Sequence, residues 1–600
     1  MAGPKIRSLC ASTLLAGIFT TFSGRLIEIQ VAKHEYYSSL AARKNVERQP
    51  IYAKRGVILT ADGEPLAQNE PVKRVLADAA LIKDAGAVAD ILAPLLELPR
   101  KEVLEKLQRT VMSETLGRRV PCRYIVVKKD VSEAVALKLN TALTEAKLRG
   151  IFFEQDFHRI YPNDRMLSHV VGYVNSESLG VAGIEQSMEQ YLHGENGYRY
   201  FEHDRTGKEL VLYRGQERAP RHGQSVRLTI DIGLQKIVEA ELDEAMKQFK
   251  PKFAVALLQR PQTGEILAMA TRPAFDPNNV PKNPEKEDDA HTNPLINRAI
   301  AASYEPGSTF KIVAAGGSLT ERLTTPETMV QCENGYFARY KLKDHHPYGE
   351  LSVTDILVKS SNIGACKLAV QLGEQRYYEY VRKFGFGEKT GIVLPGEENG
   401  LLEPPHRWTK LYSISRIPMG HEITVTPIQS VSSMSVIANG GRLMMPQIVR
   451  EIIDDSGNVI ETVPPQPVRT VLSPSATEAV RHALTQVVSE KGTARLAAVK
   501  GFKVAGKTGT AQVYNKDGSV SREKHRVSFV GFMPADAPEF TGIVMLEQPE
   551  TLHGQDMGGL IAAPIFSRIA ERAARYLGLQ PEPELLTGEA VTQNDKVRSH

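Results

Sequence analysis

Strand-like runs stand at both ends of one long segment of this 600-residue chain, and helical runs fill the space between them. Near its start, Val226-Arg-Leu-Thr-Ile230 leads into a helix opened by Asp231, with Leu234, Ile237, Val238, Leu242 and Met246 on one face. Further strands are predicted at Phe253–Leu258 and Glu265–Ala270, joined by the turn Arg260-Pro-Gln-Thr-Gly264. Helices are expected over much of 308–325, 353–385 and 474–490. Strands return at 502–506, 526–533 and 541–547, and a last helix runs from Pro564 to near Leu577. Such a unit closes one sheet with its two ends and packs it against a helical insert.

Residues 26–225 read as an extended α+β region. Strand signals lie at Arg55-Gly-Val-Ile-Leu, at Arg123-Tyr-Ile-Val-Val, and from Leu167 to Val174 running into Gly183-Ile-Glu. The three-four apolar spacing at 88–109 and 131–147 predicts amphipathic helices. The polar run Glu217-Arg-Ala-Pro-Arg-His-Gly-Gln224 reads as a linker. From Pro581 the chain is polar and rich in Pro and Glu, and a disordered tail over 581–600 is expected.

Only one segment suits a bilayer. Seventeen uncharged residues lie between Arg7 and Arg25, near the lower limit of about 17 for a spanning helix. No A-x-A-like cleavage pattern follows, and Lys5 and Arg7 form a short acid-free flank. The expected arrangement is a cytoplasmic tail (1–7), an uncleaved anchor (8–27) and everything after it outside the cytoplasm. A net charge of +4 argues against nucleic acid as a partner. The four cysteines, Cys10, Cys122, Cys332 and Cys366, are too few for a disulfide framework and lack zinc spacing, so no metal is expected.

The first candidate site is Glu305-Pro-Gly-Ser-Thr-Phe-Lys311. Pro306-Gly307 turns the chain into a helix whose first turn carries Ser308. Lys311 lies on the same face, so its amine is expected to reach the Ser308 hydroxyl as base. Alone the signal is weak, since S-x-x-K arises by chance about two or three times in a chain of this length. Two further motifs support it. Ser360 and Asn362 are polar within the apolar surroundings of Ile356, Leu357, Val358, Ile363 and Ala365. Lys507-Thr-Gly-Thr510 follows the strand-like Phe502-Lys-Val-Ala-Gly; its ammonium and hydroxyls suit a carboxylate, and Gly509 permits close backbone approach.

S-x-x-K, S-x-N and K-T-G in this order resemble the signature of penicillin-binding proteins and serine β-lactamases. The flanking residues Glu305–Lys311, Ser360-Ser-Asn-Ile-Gly364 and Val504-Ala-Gly-Lys-Thr-Gly-Thr-Ala-Gln512 are similar to class B penicillin-binding proteins, the monofunctional peptidoglycan D,D-transpeptidases. The resemblance covers nearly the whole chain. Arg55-Gly-Val-Ile58, Asp62-Gly63, Gly183-Ile-Glu185 and Leu192-His-Gly194 look like the family's pedestal domain. Phe384-Gly-Phe-Gly387, Pro395-Gly-Glu397, Val425-Thr-Pro-Ile-Gln429 and Ser528-Phe-Val-Gly-Phe532 look like its catalytic domain. The chain departs from the pattern at Thr60-Ala61, where the family usually has Asp-Arg. The Glu before Pro306-Gly307, the VAGKTGTAQ block and the length favour the division-specific subtype over the elongation one.

The resemblance implies an α+β multidomain chain: membrane anchor, pedestal (dimerisation-like) domain at 28–225, and transpeptidase domain at 226–580 with an antiparallel sheet between helices. It implies that Ser308 attacks the penultimate D-Ala carbonyl of a stem peptide, with Lys311 as base. Ser360 would relay a proton, and Asn362 would bond substrate or Lys311. Lys507, Thr508, Gly509 and Thr510 would hold the terminal carboxylate, and the N–H groups of Ser308 and Thr510 would form the oxyanion hole. A stem-peptide amine then takes the acyl group, and β-lactams imitate the donor. No cofactor is implied. A membrane glycan polymerase and other division proteins are implied partners, at a bacterial inner membrane spanned once. A D,D-carboxypeptidase, a β-lactamase-like or β-lactam-sensing protein, and a lateral-wall transpeptidase are the alternatives. His345-His346 reads as structural or solvated rather than metal-binding, His421 as bordering the groove, and Trp408 as packing. Cys332 and Cys366 read as small buried hydrophobes.

Overall fold

In a computed structural model, the described residues are 4–37, 46–113, 117–203, 209–282, 292–410, 412–514, 520–551 and 557–586. The chain forms two compact units that interleave along the sequence: 1–54, 69–158 and 194–222 make one, and 55–68, 159–193 and 223–600 the other.

In the smaller unit the N-terminal helix Pro4–Ile27 continues as one wider turn, Glu28–Ala32. Residues Ala11–Ala32 are long and apolar enough to cross a membrane. Strands Val46–Ile51, Gly197–His203 and Glu209–Arg218 form an antiparallel sheet with Gly197–His203 in the middle. The supposed linker therefore begins as the end of a strand at Arg218. Elsewhere in the unit, residues 73–77 pair with the strand Ile125–Val131. The helices Ala85–Leu96, capped by Asp84, and Glu133–Glu145, capped by Ser132, share a core of Val75, Val88, Leu92, Val103 and Leu139. The helical run at 88–109 is broken: the first helix ends at Leu96, where Glu97 turns left-handed (φ 52°), and Pro99 stands before a second, Arg100–Leu107.

In the larger unit Ile58–Leu59 is all that remains of the strand expected at 55–59, and it pairs in parallel with Ser225–Leu228. The strand expected from Leu167 to Val174 is instead the short helix Ser168–Val171, followed by a second at Gly183–Ser187. Leu167, Val170 and Val171 are buried at helical spacing, and Gly172 (φ 77°) ends the turn. A buried ionic cluster ties these segments: Glu185 accepts from Arg55 Nε at 2.6 Å and from Arg159 Nε at 2.7 Å, and Arg55 also reaches Glu189 at 2.6 Å.

The sheet predicted from the two ends of the unit is present. Its strands are β1 (Phe253–Gln259), β2 (Ile266–Arg272), β3 (Ala505–Tyr514), β4 (Val520–Met533) and β5 (Phe540–Glu547), in spatial order β2-β1-β5-β4-β3, all antiparallel. Every residue of β1, β2 and β5 is buried, so both faces are covered. Helices α1 (Ile232–Phe249, capped by Asp231 as expected) and α7 (Ala562–Tyr576) pack together on it. Between them in sequence come α2 (Lys311–Thr320), α3 (Val353–Val358), α4 (Asn362–Leu372), α5 (Pro427–Ala438) and α6 (Pro474–Val487). Helix α5 is buried throughout and opens with Pro427 and a reciprocal Thr426–Gln429 cap. At the start of the expected tail Glu582 N–H donates to Gly501 O at 2.8 Å and Pro583–Leu586 is a helical turn; residues 587–600 lie outside the described residues.

Candidate active site

Ser308 sits in a tight 3₁₀ turn, Gly307–Phe310, which feeds directly into α2. It is partly exposed, while Pro306, Gly307, Thr309 and Phe310 around it are buried. Lys311, one turn on, is only 1% exposed. Its ammonium nitrogen makes no hydrogen bond to the Ser308 hydroxyl; it lies 2.5 Å from Ser360 O, 3.1 Å from Ser360 Oγ and 2.7 Å from Asn362 Oδ1. Burial pushes its pKa well below the usual lysine value, and the neighbouring Lys507 charge pushes it further.

The second motif is a break between two helices. Helix α3 ends at Val358, and Ser360 takes a left-handed backbone (φ 59°) before Ser361 caps α4 through the Gly364 N–H. The left-handed residue thus aims its hydroxyl and its carbonyl at Lys311. Lys311 Nζ thus donates to Ser360 O, Ser360 Oγ and Asn362 Oδ1, three acceptors presented by this one break between helices.

The third motif is not placed after a strand. Lys507, Thr508, Gly509 and Thr510 lie inside β3, which starts at Ala505 and pairs with β4 through Lys507↔Val530 and Gly509↔Ser528. Phe502 to Val504 approach the sheet without joining it. Lys507 is fully buried, and its Nζ has no hydrogen-bond partner among the described residues. Burial alone lowers its pKa to about 7. An unpartnered buried cation is costly unless a ligand carboxylate completes it.

Glycine lets the walls meet. A Cβ at Gly509 would fall 2.9 Å from Pro306 O, so strand and nucleophile turn touch through backbone. Gly558 lies equally close to Gly509 O and Ser528 O, and its N–H donates to Thr510 Oγ1 at 3.1 Å. That hydroxyl accepts from the Gly558 N–H, keeps its own hydrogen to donate, and Thr510 is exposed. Thr508 Oγ1 is 3.5 Å from Thr493 Oγ1.

Asp344 has no role in the sequence reading beyond standing before two histidines. Its carboxylate accepts from the backbone N–H groups of Asn362 and Ile363 and from the Ser361 hydroxyl, while Asn362 Nδ2 donates to Lys343 O. Nothing local marks it, because its partners lie 17 to 19 residues away. His345 follows it; burial first, and then the Lys311 charge, lower its pKa. Trp408 is buried, donates to Glu403 O and meets Tyr378 edge-on, a packing role. Cys332 and Cys366 are buried free thiols.

Two family models match. The penicillin-binding protein transpeptidase domain covers residues 254–571, and the penicillin-binding protein dimerisation domain covers 50–228. The chain is 32% identical to stage V sporulation protein D of Bacillus subtilis, over 96% of this chain and 87% of that one. It is 29% identical to the peptidoglycan D,D-transpeptidase FtsI of Escherichia coli, over 97% and 93%. Among solved structures, a peptidoglycan synthetase from Bifidobacterium adolescentis superposes with a TM-score of 0.70 at 25% identity, covering 90% of this chain and 98% of that one. A penicillin-binding protein 3 from Mycobacterium, complexed with aztreonam, superposes at 0.67 and 25% identity, covering 90% and 99%.

Proposed function

The chain belongs to the class B penicillin-binding proteins, and on that premise we propose that it cross-links peptidoglycan stem peptides through an acyl-serine intermediate. The Ser308 hydroxyl attacks the carbonyl carbon of the penultimate D-Ala. Its proton passes to Lys311 and on through Ser360 to the departing amine, so the terminal D-Ala leaves and an ester remains. An amine of a second stem peptide attacks that ester, forming the cross-link amide and returning the proton to Ser308. Lys507 and the Thr508 and Thr510 hydroxyls receive the donor's carboxylate, and the Ser308 and Thr510 N–H groups receive the oxyanion. The observation that carries this reading is the meeting of Lys311, three residues after Ser308, with Ser360 and Asn362, together with a buried Lys507 whose Nζ has no hydrogen-bond partner among the described residues.

In this reading residues 226–580 carry the chemistry, residues 28–225 serve as pedestal, and the N-terminal helix anchors the chain in the inner membrane with the catalytic unit outside the cytoplasm. The likeness to FtsI favours a role at the division septum beside a membrane glycan polymerase and other division proteins.

The test is covalent labelling of the full chain in detergent with a fluorescent penicillin, beside Ser308→Ala. A stable adduct on intact mass, absent from the variant, is expected. Rapid loss of the label would point to a β-lactamase, and an unlabelled native chain would overturn the acyl-serine reading. Incubation with stem peptides separates a transpeptidase, which yields dimers, from a carboxypeptidase, which yields only trimmed monomers.

A further inference from the structure

Glu305 and His421 take no part in the scheme above, yet they flank the turn that presents Ser308. Glu305 Oε2 lies 2.8 Å from His421 Nδ1, and Glu305 Oε1 accepts from the Glu422 N–H at 3.2 Å. The Glu305 side chain is 13% exposed and that of His421 36%. Two residues further on, the Gly307 N–H donates to Gly420 O at 3.3 Å. Gly420 (φ 81°) approaches so closely that a Cβ on it would fall 2.3 Å from Gly307 O. On the other side Tyr304 and Val425 exchange both backbone hydrogen bonds, at 2.9 and 2.8 Å. The segment 420–425 therefore runs along 304–307, and among the described residues the side-chain hydrogen bonds between them both come from Glu305.

The chemistry of that link is one-directional. An ionised carboxylate only accepts, so the hydrogen between the two side chains belongs to His421 Nδ1. Each Glu305 oxygen thus has one donor, His421 for one and the Glu422 backbone for the other. Without the histidine donor, a mostly buried carboxylate keeps half its partners and turns to find others. The Tyr304–Val425 pairing still holds the incoming chain, so the freedom gained falls on Pro306 and Gly307, immediately before Ser308. We propose that Glu305 and His421 form a positioning pair that locks the Pro306-Gly307 turn and with it the attack geometry of Ser308. Neither residue touches substrate; both act through the turn. The proposal rests on Ser308 being the nucleophile.

The test uses the full chain in detergent and benzylpenicillin, with the non-covalent Kd and the acylation rate constant resolved by rapid mixing. His421→Gln moves the amide donor to the Nε2 position, and His421→Asn keeps one at the Nδ1 position. His421→Gln is expected to slow acylation by about 10- to 100-fold with Kd changed less than about 3-fold, because small misplacements of a reacting atom cost that much. His421→Asn is expected to restore the rate to within about 3-fold of the native chain. Glu305→Ala with His421→Gln is expected to be no slower than Glu305→Ala alone, since the two act as one link. Native acylation rates in His421→Gln, an Asn variant as slow as the Gln variant, or additive losses in the double variant would each overturn the positioning role. Failure of the native chain to acylate while Ser308→Ala behaves identically would overturn the nucleophile reading and this one with it.

Discussion

Lys311 Nζ lies 2.7 Å from Asn362 Oδ1, across 51 residues of sequence. That contact ties the lysine of the first motif to the second motif. Lys311 is therefore held against the Ser360–Asn362 turn, where it also donates to the Ser360 hydroxyl oxygen at 3.1 Å. Under the proposed scheme, whatever holds this turn in place bears on acylation, and whatever alters the charge of the two buried lysines becomes visible in pH.

Lys507 gives the clearest pH effect. Its pKa falls from the ordinary lysine value to about 7 on folding, so between about pH 7 and pH 10 the unfolded chain holds a proton that the folded chain lacks. Stability of the unliganded protein is then expected to rise with pH across that window, by at most about 1.4 kcal/mol per pH unit from this residue. Lys311 contributes with the same sign. Lys507→Met should flatten the rise, measured as thermal midpoint against pH. A ligand carboxylate beside Lys507 favours its charged form, so benzylpenicillin binding near pH 8 should take up a proton, read from the buffer dependence of the calorimetric heat.

Asp344 holds the second motif by three hydrogen bonds. Asp344→Ala leaves two backbone N–H groups and the Ser361 hydroxyl without their acceptor, and should cost about 1–3 kcal/mol of stability. Because Asn362 is released with them, acylation by fluorescent penicillin should slow at least about 10-fold. Asp344→Asn, which keeps one acceptor oxygen, should fall between. An Asp344→Ala protein that acylates at the native rate would show that Asn362 is held by other means.

Glu185 carries the buried ionic cluster of the larger unit. Its side chain is fully buried, and two guanidinium groups, of Arg55 and Arg159, converge on it. Glu185→Gln removes the shared counter-charge and is expected to destabilise the unit by about 3–5 kcal/mol. A drop of several degrees in thermal midpoint checks it, while the acylation rate of the folded fraction should stay native.

The outcome for individual segments follows how far their stabilising partners lie along the chain. Asp231 caps α1 through the N–H groups of Gly233 and Leu234, contacts two and three residues away, and was legible as such. The buried strands β1 and β5 announced themselves as continuous apolar runs. Leu167 to Val171 misled because an apolar run this short suits either a strand or a helix. Here the Leu167 N–H is taken by Glu239 Oε1, 72 residues away, and the chain turns helical. Lys507 to Thr510 read as following a strand at 502–506, because the apolar signal there ends at the lysine. Their place inside β3 comes from pairing with β4 across the sheet.

Sequence by itself determined the chemical inventory: a serine, two lysines, a second serine and an asparagine in motifs whose order marks the family, one anchor-length apolar segment, and the pattern of a sheet closed by two distant ends. Those follow from side-chain type and local period. Only the tertiary structure decided that Lys311 bonds Ser360 and Asn362, that Lys507 is buried with no hydrogen-bond partner among the described residues, that Asp344 secures the second motif, and that Glu305 meets His421. Each of these is a contact between groups 17 to 116 residues apart or a burial imposed by packing. A short motif encodes which groups are available, whereas the distances and the dielectric that set their pKa values arise only when the sheet and its helices close around them.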